Sequence, residues 1–297
     1  MQQTATAVPS AAKEKTEMTF LIPNTRRRRG GIKIEGTNDL EAFKFPVAER
    51  FVGVANGIND MIDIGNPDTH LQHGYKAIVR EDTNKCISIL RQTYKLQTNA
   101  EILDELMSKL KIIDKEFKIN AKHSFCMDER MRLHVEFPGL IVEDEGGDLA
   151  LSLFVHNSYD MSEGVRLFWG AIRVEDGAAF VFNGILKGYY HKHTDSLNLN
   201  NFKEELESTY GHIPEIHKRI EFLTSQIVDE PMYKKLKKNL GSTLVDEILP
   251  SGEPADLKKR AMSMWECYTT LAKMVSNQID IQYRARYQHA LSKAFGL

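Results

Sequence analysis

The chain has 297 residues, 42% of them hydrophobic and 27% charged, with a formal net charge of -2. That length supports one large domain or two modest ones with a real core. The near-neutral balance excludes a globally basic nucleic-acid binder, so any such role needs a local patch.

Cys86, Cys126 and Cys267 are odd in number and widely spaced, without a CxxC. They write neither a disulfide framework nor a zinc ribbon, and a reducing compartment follows. No apolar run approaches the roughly 20 residues that span a bilayer. Met1 to Glu17 lacks the apolar core of a signal peptide.

Residues 1–36 read as a flexible basic arm. A short apolar run, Met18 to Pro23, is placed to add an edge strand or dock on a partner. Arg26, Arg27, Arg28 and Arg29 follow, next to Gly30-Gly31. Four adjacent like charges cannot be buried, so this run is exposed. Residues 1–40 hold seven Lys/Arg against four Asp/Glu, a net of +3.

Residues 37–198 read as an α+β sheet domain. Tyr75–Val79 and Cys86–Leu90 form a hairpin around Glu81–Asn84. Thr98 and Glu101 make a capping box for a helix over about 99–112, whose apolar positions are Ile102, Leu103, Leu106 and Leu110. Met131, Leu133, Val135 and Phe137 alternate with Arg130, Arg132, His134 and Glu136, which predicts a strand with one wet face, interrupted by Pro138-Gly139. Strands at Leu149–Val155, Val165–Val174 and Ala178–Phe182 follow, the last two joined through the turn Glu175-Asp176-Gly177. No crossover helix separates them, so an antiparallel meander is expected.

Residues 199–297 read as a helical region packed on the sheet domain. Asn200 or Asn201 caps a helix from Phe202, and Ile213-Pro214 interrupts it. Ile216, Ile220, Leu223 and Ile227 resume the stripe. Met232–Leu240 is basic on one side, and Leu244–Leu249 is short. One long last helix carries Trp265, Tyr268, Ala272, Val275 and Ile279, with Arg284 and Arg286 on its distal half. Residues 41–199 hold 18 Lys/Arg against 24 Asp/Glu, so the acidic excess lies in the sheet region.

Standard enzyme signatures are missing: there is no GxxxxGK[ST], GxSxG, HExxH or GxGxxG. His191 and His193, two apart on a strand, share a face and with Asp195 or Asp160 offer candidate metal ligands. A polar strand end is the plainer reading, because a metal site needs at least three convergent ligands. Asn157, Ser158, Asp160 and Ser162 form a polar loop before Arg166. They serve either as turn formers that bond their own backbone or as the wall of a pocket in which Arg166 holds a phosphate-like anion. The basic run Lys234, Lys235, Lys237 and Lys238, the cluster Lys258-Lys259-Arg260 and Lys187 add cationic candidates. Tyr189, Tyr190, Phe180 and Phe182 add aromatic faces for stacking or for core.

Three stretches carry a family likeness: Gly74 to Leu106; Asn157-Ser158-Tyr159-Asp160 through Arg166, then Gly170–Val174 and His193-Thr194; and Trp265–Leu271 with Arg284 and Arg286. Over roughly residues 45–295 the chain resembles the phage/plasmid-like proteins of unknown function found in prophages, phage genomes and conjugative plasmids. That setting implies, by association, a part in DNA recombination or replication in the cytoplasm of a host cell. The outline is also similar to phage single-strand annealing proteins of the Red-beta and Erf kind.

The leading expectation is therefore a non-enzymatic, oligomeric single-stranded DNA-binding protein that promotes annealing, with no cofactor and no membrane contact. Its binding residues would be Arg26–Arg29, Arg166, Lys187, Lys234, Lys235, Lys237 and Lys238. A factor that binds a host protein is the first alternative. A metal-dependent nuclease using Asp160, His191, His193 and Asp195 is the second.

Overall fold

A computed structural model describes residues 34–35, 37–53, 71–112, 115–186, 188–194, 211–249, 253, 256–257 and 260–297. Arg26–Arg29, Lys187, Asp195, Lys258, Lys259 and the expected helix from Phe202 lie outside the described residues.

Antiparallel strands occupy the middle of the chain and helices its last third, an α+β architecture. A three-stranded sheet is formed by β2 (Val47–Gly53), β3 (Leu71–Arg80) and β4 (Lys85–Arg91). Capped as expected, α1 (Asn99–Ile112) begins with a reciprocal box. The Thr98 N–H donates to Glu101 at 2.8 Å, and the Glu101 N–H donates to the Thr98 hydroxyl at 3.1 Å. Its stripe of Ile102, Leu103, Leu106 and Leu110 is fully buried. Each such side chain contributes about 1.5–3 kcal/mol of burial.

The larger sheet runs β1-β6-β7-β8-β9-β10, from β1 (Ile34–Glu35) through β6 (Phe125–Met127), β7 (Arg130–Val142), β8 (Leu149–Ser158) and β9 (Val165–Arg173) to β10 (Ala179–Val181). Two short strands extend it: β5 (Lys118–Ile119) pairs with β7, and β11 (Tyr189–His191) pairs with β9. Pro138-Gly139 does not end β7. The strand continues to Val142, and the register shifts between Glu136 and Ile141. A bulge absorbs the proline, which has no N–H to give a ladder.

The helical region holds α2 (Ile213–Ser225), α3 (Glu230–Leu240), α4 (Ser242–Ile248), α5 (Met264–Gln278) and α6 (Ile281–Phe295). Pro214 sits in the first turn of α2, where its missing N–H costs nothing. The expected single long last helix is two. Ile279 is extended, and the Asp280 carboxylate accepts from the Gln282 N–H to start α6 afresh.

Helix α5 also guards the edge of β10. The Ala179 N–H donates to Ser276 Oγ at 3.0 Å, and the Val181 N–H donates to the Tyr268 hydroxyl at 3.2 Å. Edge groups that would invite another strand are thereby occupied. One apolar cluster joins the inner face of the large sheet, α1 and the C-terminal helices. A smaller one, Phe154, Phe168, Ile172, Ala179 and Val181, lies on the opposite face.

Candidate functional site

That opposite face carries an unusual row. Directly paired residues in an antiparallel sheet share a face, and the register aligns Phe125, Arg132, His156, Arg166 and Tyr190 across β6, β7, β8, β9 and β11. The alternation that predicts this polar face is correct, but the expected wet face is not: Arg132, His134, Glu136 and His156 are all buried. Helix α6 covers it. The His289 ring lies 4.7 Å from Phe168, and Arg284, Ala285 and Gln288 close over His134 and His156. At the other end the row opens. Tyr190 is 53% exposed, and the Arg166 guanidinium lies 5.0 Å from the centre of its ring.

The loop between β8 and β9 supplies the carboxylate for this row. Arg132 Nη2 donates to Glu163, whose other oxygen lies 3.4 Å from His156 Nδ1. Glu163 is held by its backbone: its N–H donates to Ser158 Oγ, and its carbonyl accepts from the same hydroxyl at 2.7 Å. Asp160 accepts from the Ser162 N–H at 2.9 Å and pairs with Arg130 at 3.3 Å. Asn157 donates to the Gln97 carbonyl and to Asn99 Oδ1. Ser158 and Asp160 thus bond the backbone of the loop itself, the turn chemistry that their residue types favour, while Asn157 ties β8 to the start of α1. Gly164 is required here because a Cβ would collide with the His191 carbonyl of β11.

Below α6 lies a cavity of about 10 Å³, lined by residues that include His123, Arg132, His134, His156, Arg284 and Gln288. The His123 and His134 rings stack at 5.3 Å, and His134 meets Phe154 edge-on at 3.9 Å. Burial pushes His123 down to about 4, with Arg284 and Lys122 adding in the same direction. Burial also takes His134 and His156 well below the usual imidazole value, and the neighbouring Arg132 reinforces this for both. His289 falls to about 4, chiefly through burial and then through Arg166. At neutral pH all four rings are uncharged.

The other candidates do not converge. His193 is buried and stacks on Tyr94 at 4.8 Å, while its backbone carbonyl accepts from the Lys95 N–H. His191 stacks on Tyr189. Among the described residues no three His, Cys, Asp or Glu side chains gather as a metal site needs.

On α3, Lys234 pairs with Glu230. Lys235 donates to the Ala294 carbonyl at 2.6 Å, and Lys237 bonds Asp246 and Tyr233. Lys238 projects from the same helix, and it is exposed. The α3 lysines lie on a different element from the Arg166 row. Phe180 and Phe182 are core.

Arg132, His134, Glu163, Gln288 and His289 carry no motif that marks them as site residues in the sequence. For the β7 pair the signal was present in the alternation itself. For the α6 residues there was none, because their role depends on where α6 lands.

Among the described residues, no helix is long and apolar enough to cross a membrane. No family model, curated protein or solved structure matches the chain, so its reading rests on its own residues.

Proposed function

We propose that the protein binds single-stranded nucleic acid through the open end of this row, with Tyr190 as a stacking face and Arg166 as the phosphate contact. The observation that carries the reading is the exposed Tyr190 ring standing over Arg166. An exposed aromatic beside a guanidinium suits a base, because every base has a π-face. The backbone phosphate then meets a charge that is always on. Exposed Lys192 lies two residues beyond Tyr190. Lys95, also exposed, is tied to the same segment by its N–H bond to the His193 carbonyl. Annealing is the wider role in this reading, with the Arg26–Arg29 run, Lys187 and the α3 lysines Lys234, Lys235, Lys237 and Lys238 as further cationic contacts.

The test is a fluorescence-anisotropy titration with a labelled oligothymidylate at two salt concentrations, duplex alongside. Tyr190→Ala is expected to weaken binding by about 1–3 kcal/mol, the range of one stacked base. Arg166→Gln is expected to flatten the log–log salt slope by about 0.7. Full binding in both variants, or no binding by the parent protein at low salt, would overturn the proposal.

A further inference from the structure

The cavity beneath α6 plays no part in that reading. Its lining holds several polar side chains that are more than nine-tenths buried and have atoms without a partner: Arg132 Nε, His134 Nδ1, Gln288 Nε2 and His123 Nδ1. No carboxylate lines it, whereas two guanidiniums, Arg132 and Arg284, do. Glu163 offsets Arg132 from outside the lining. Arg132 Nε and Gln288 Nε2 are N–H donors, and a buried donor without an acceptor costs about 1–3 kcal/mol, so something that accepts belongs beside them.

Size narrows the occupant. About 10 Å³ of accessible volume is room for one water-sized particle. His123 adds a chemical condition. Its Nε2 lies 2.7 Å from the Gly177 carbonyl, which can only accept, so Nε2 carries the hydrogen. In the neutral ring Nδ1 is then a bare lone pair, which suits a water proton and repels an anion. Protonation turns that lone pair into a donor.

We propose that the cavity takes up one halide-sized anion together with one proton, replacing a water. Adding the two together leaves the net charge of the cavity unchanged, which avoids burying an unpaired ion. The titratable and charged groups facing His123 are Arg132 and His134 on β7, His156 on β8, Arg284 and His289 on α6, Lys122 beside it, and Asp176 in the turn whose Gly177 it bonds. The cations among them favour an anion once His123 has become a donor.

The experiment is thermal unfolding of the full chain at pH 5.0 and 7.5, in potassium bromide against potassium gluconate of equal ionic strength. At pH 5.0 bromide is expected to raise Tm saturably, by about 3 °C at ten times the half-saturating concentration. The effect is expected to shrink at pH 7.5 and to vanish in Gln288→Leu. Equal Tm in the two salts at pH 5.0 would overturn the proposal. So would a bromide effect that survives in Gln288→Leu, since it would mark an adventitious ion only. If that variant does not fold, anomalous diffraction from wild-type crystals grown with bromide at pH 5.0 decides: a peak in the cavity supports the proposal, and its absence there refutes it.

Discussion

Lowering the pH from 7.5 to 5.0 in a gluconate buffer should destabilise the protein through its buried histidines. The sign follows from the direction of the shift. His123 is lowered from about 6.5 to about 4 in the folded state, so the unfolded chain binds the proton more readily. Its contribution is complete above pH 6.5 and is lost progressively as the pH falls towards 4. At pH 5.0 the unfolded form is largely protonated and the folded form is not, which costs about 2 kcal/mol for this one residue. His134, His156 and His289 act in the same direction. Against a typical stability of about 5–15 kcal/mol, one such loss is already visible. Asp82, Asp176 and Asp246 are held below the usual carboxylate value by ion pairs or hydrogen bonds, and so stay charged through this window. Urea unfolding at pH 7.5, 6.5 and 5.0 reads the loss directly, with His123→Gln as the control that removes one titrating ring. A midpoint that does not move between pH 7.5 and 5.0 would refute the reasoning. So would a His123→Gln protein that loses as much stability over that range as the parent.

Asp128 is almost wholly buried between Arg80 and Lys85, and it joins the three-stranded sheet to the β6–β7 turn. Asp128→Ala leaves buried Arg80 with Asp82 as its remaining partner, and a loss of about 1–3 kcal/mol in chemical denaturation is expected. Thr98→Ala removes one arm of the α1 capping box, which should cost about 1 kcal/mol by the same assay. Cys126 and Cys267 are buried and pushed up to about 12, whereas Cys86 is half-buried. A maleimide at pH 7.5 should therefore label Cys86 first and the other two only on unfolding, as read by intact mass.

Local signals were legible in the sequence. The Thr98–Glu101 box, the hairpin around Glu81–Asn84 and the Glu175-Asp176-Gly177 turn are each written in a few adjacent residues, and each forms as its residue types require. The sequence misleads where a distant contact decides. Pro138 reads as a strand breaker until a bulge accommodates it. Alternating Arg132 and His134 read as solvent-facing, because nothing near them in sequence announces that α6 packs there. The boundary between α5 and α6 is hidden in the sequence because Ile279 continues the apolar stripe, while Asp280 caps a new helix. Of the candidate site, Arg166 and Tyr190 were visible as residue types, but their apposition is a product of the β9–β11 register.

The two halves of α6 rest on different materials. Its first turns, with Arg284, Ala285 and Gln288, sit over charged and polar side chains, while Leu291, Ala294 and Phe295 enter the main apolar cluster. Releasing the first half exposes groups that water can solvate; releasing the second exposes hydrocarbon. One helix thus spans a gradient of local stability, and slowed amide hydrogen exchange should rise along it from Tyr283 to Phe295.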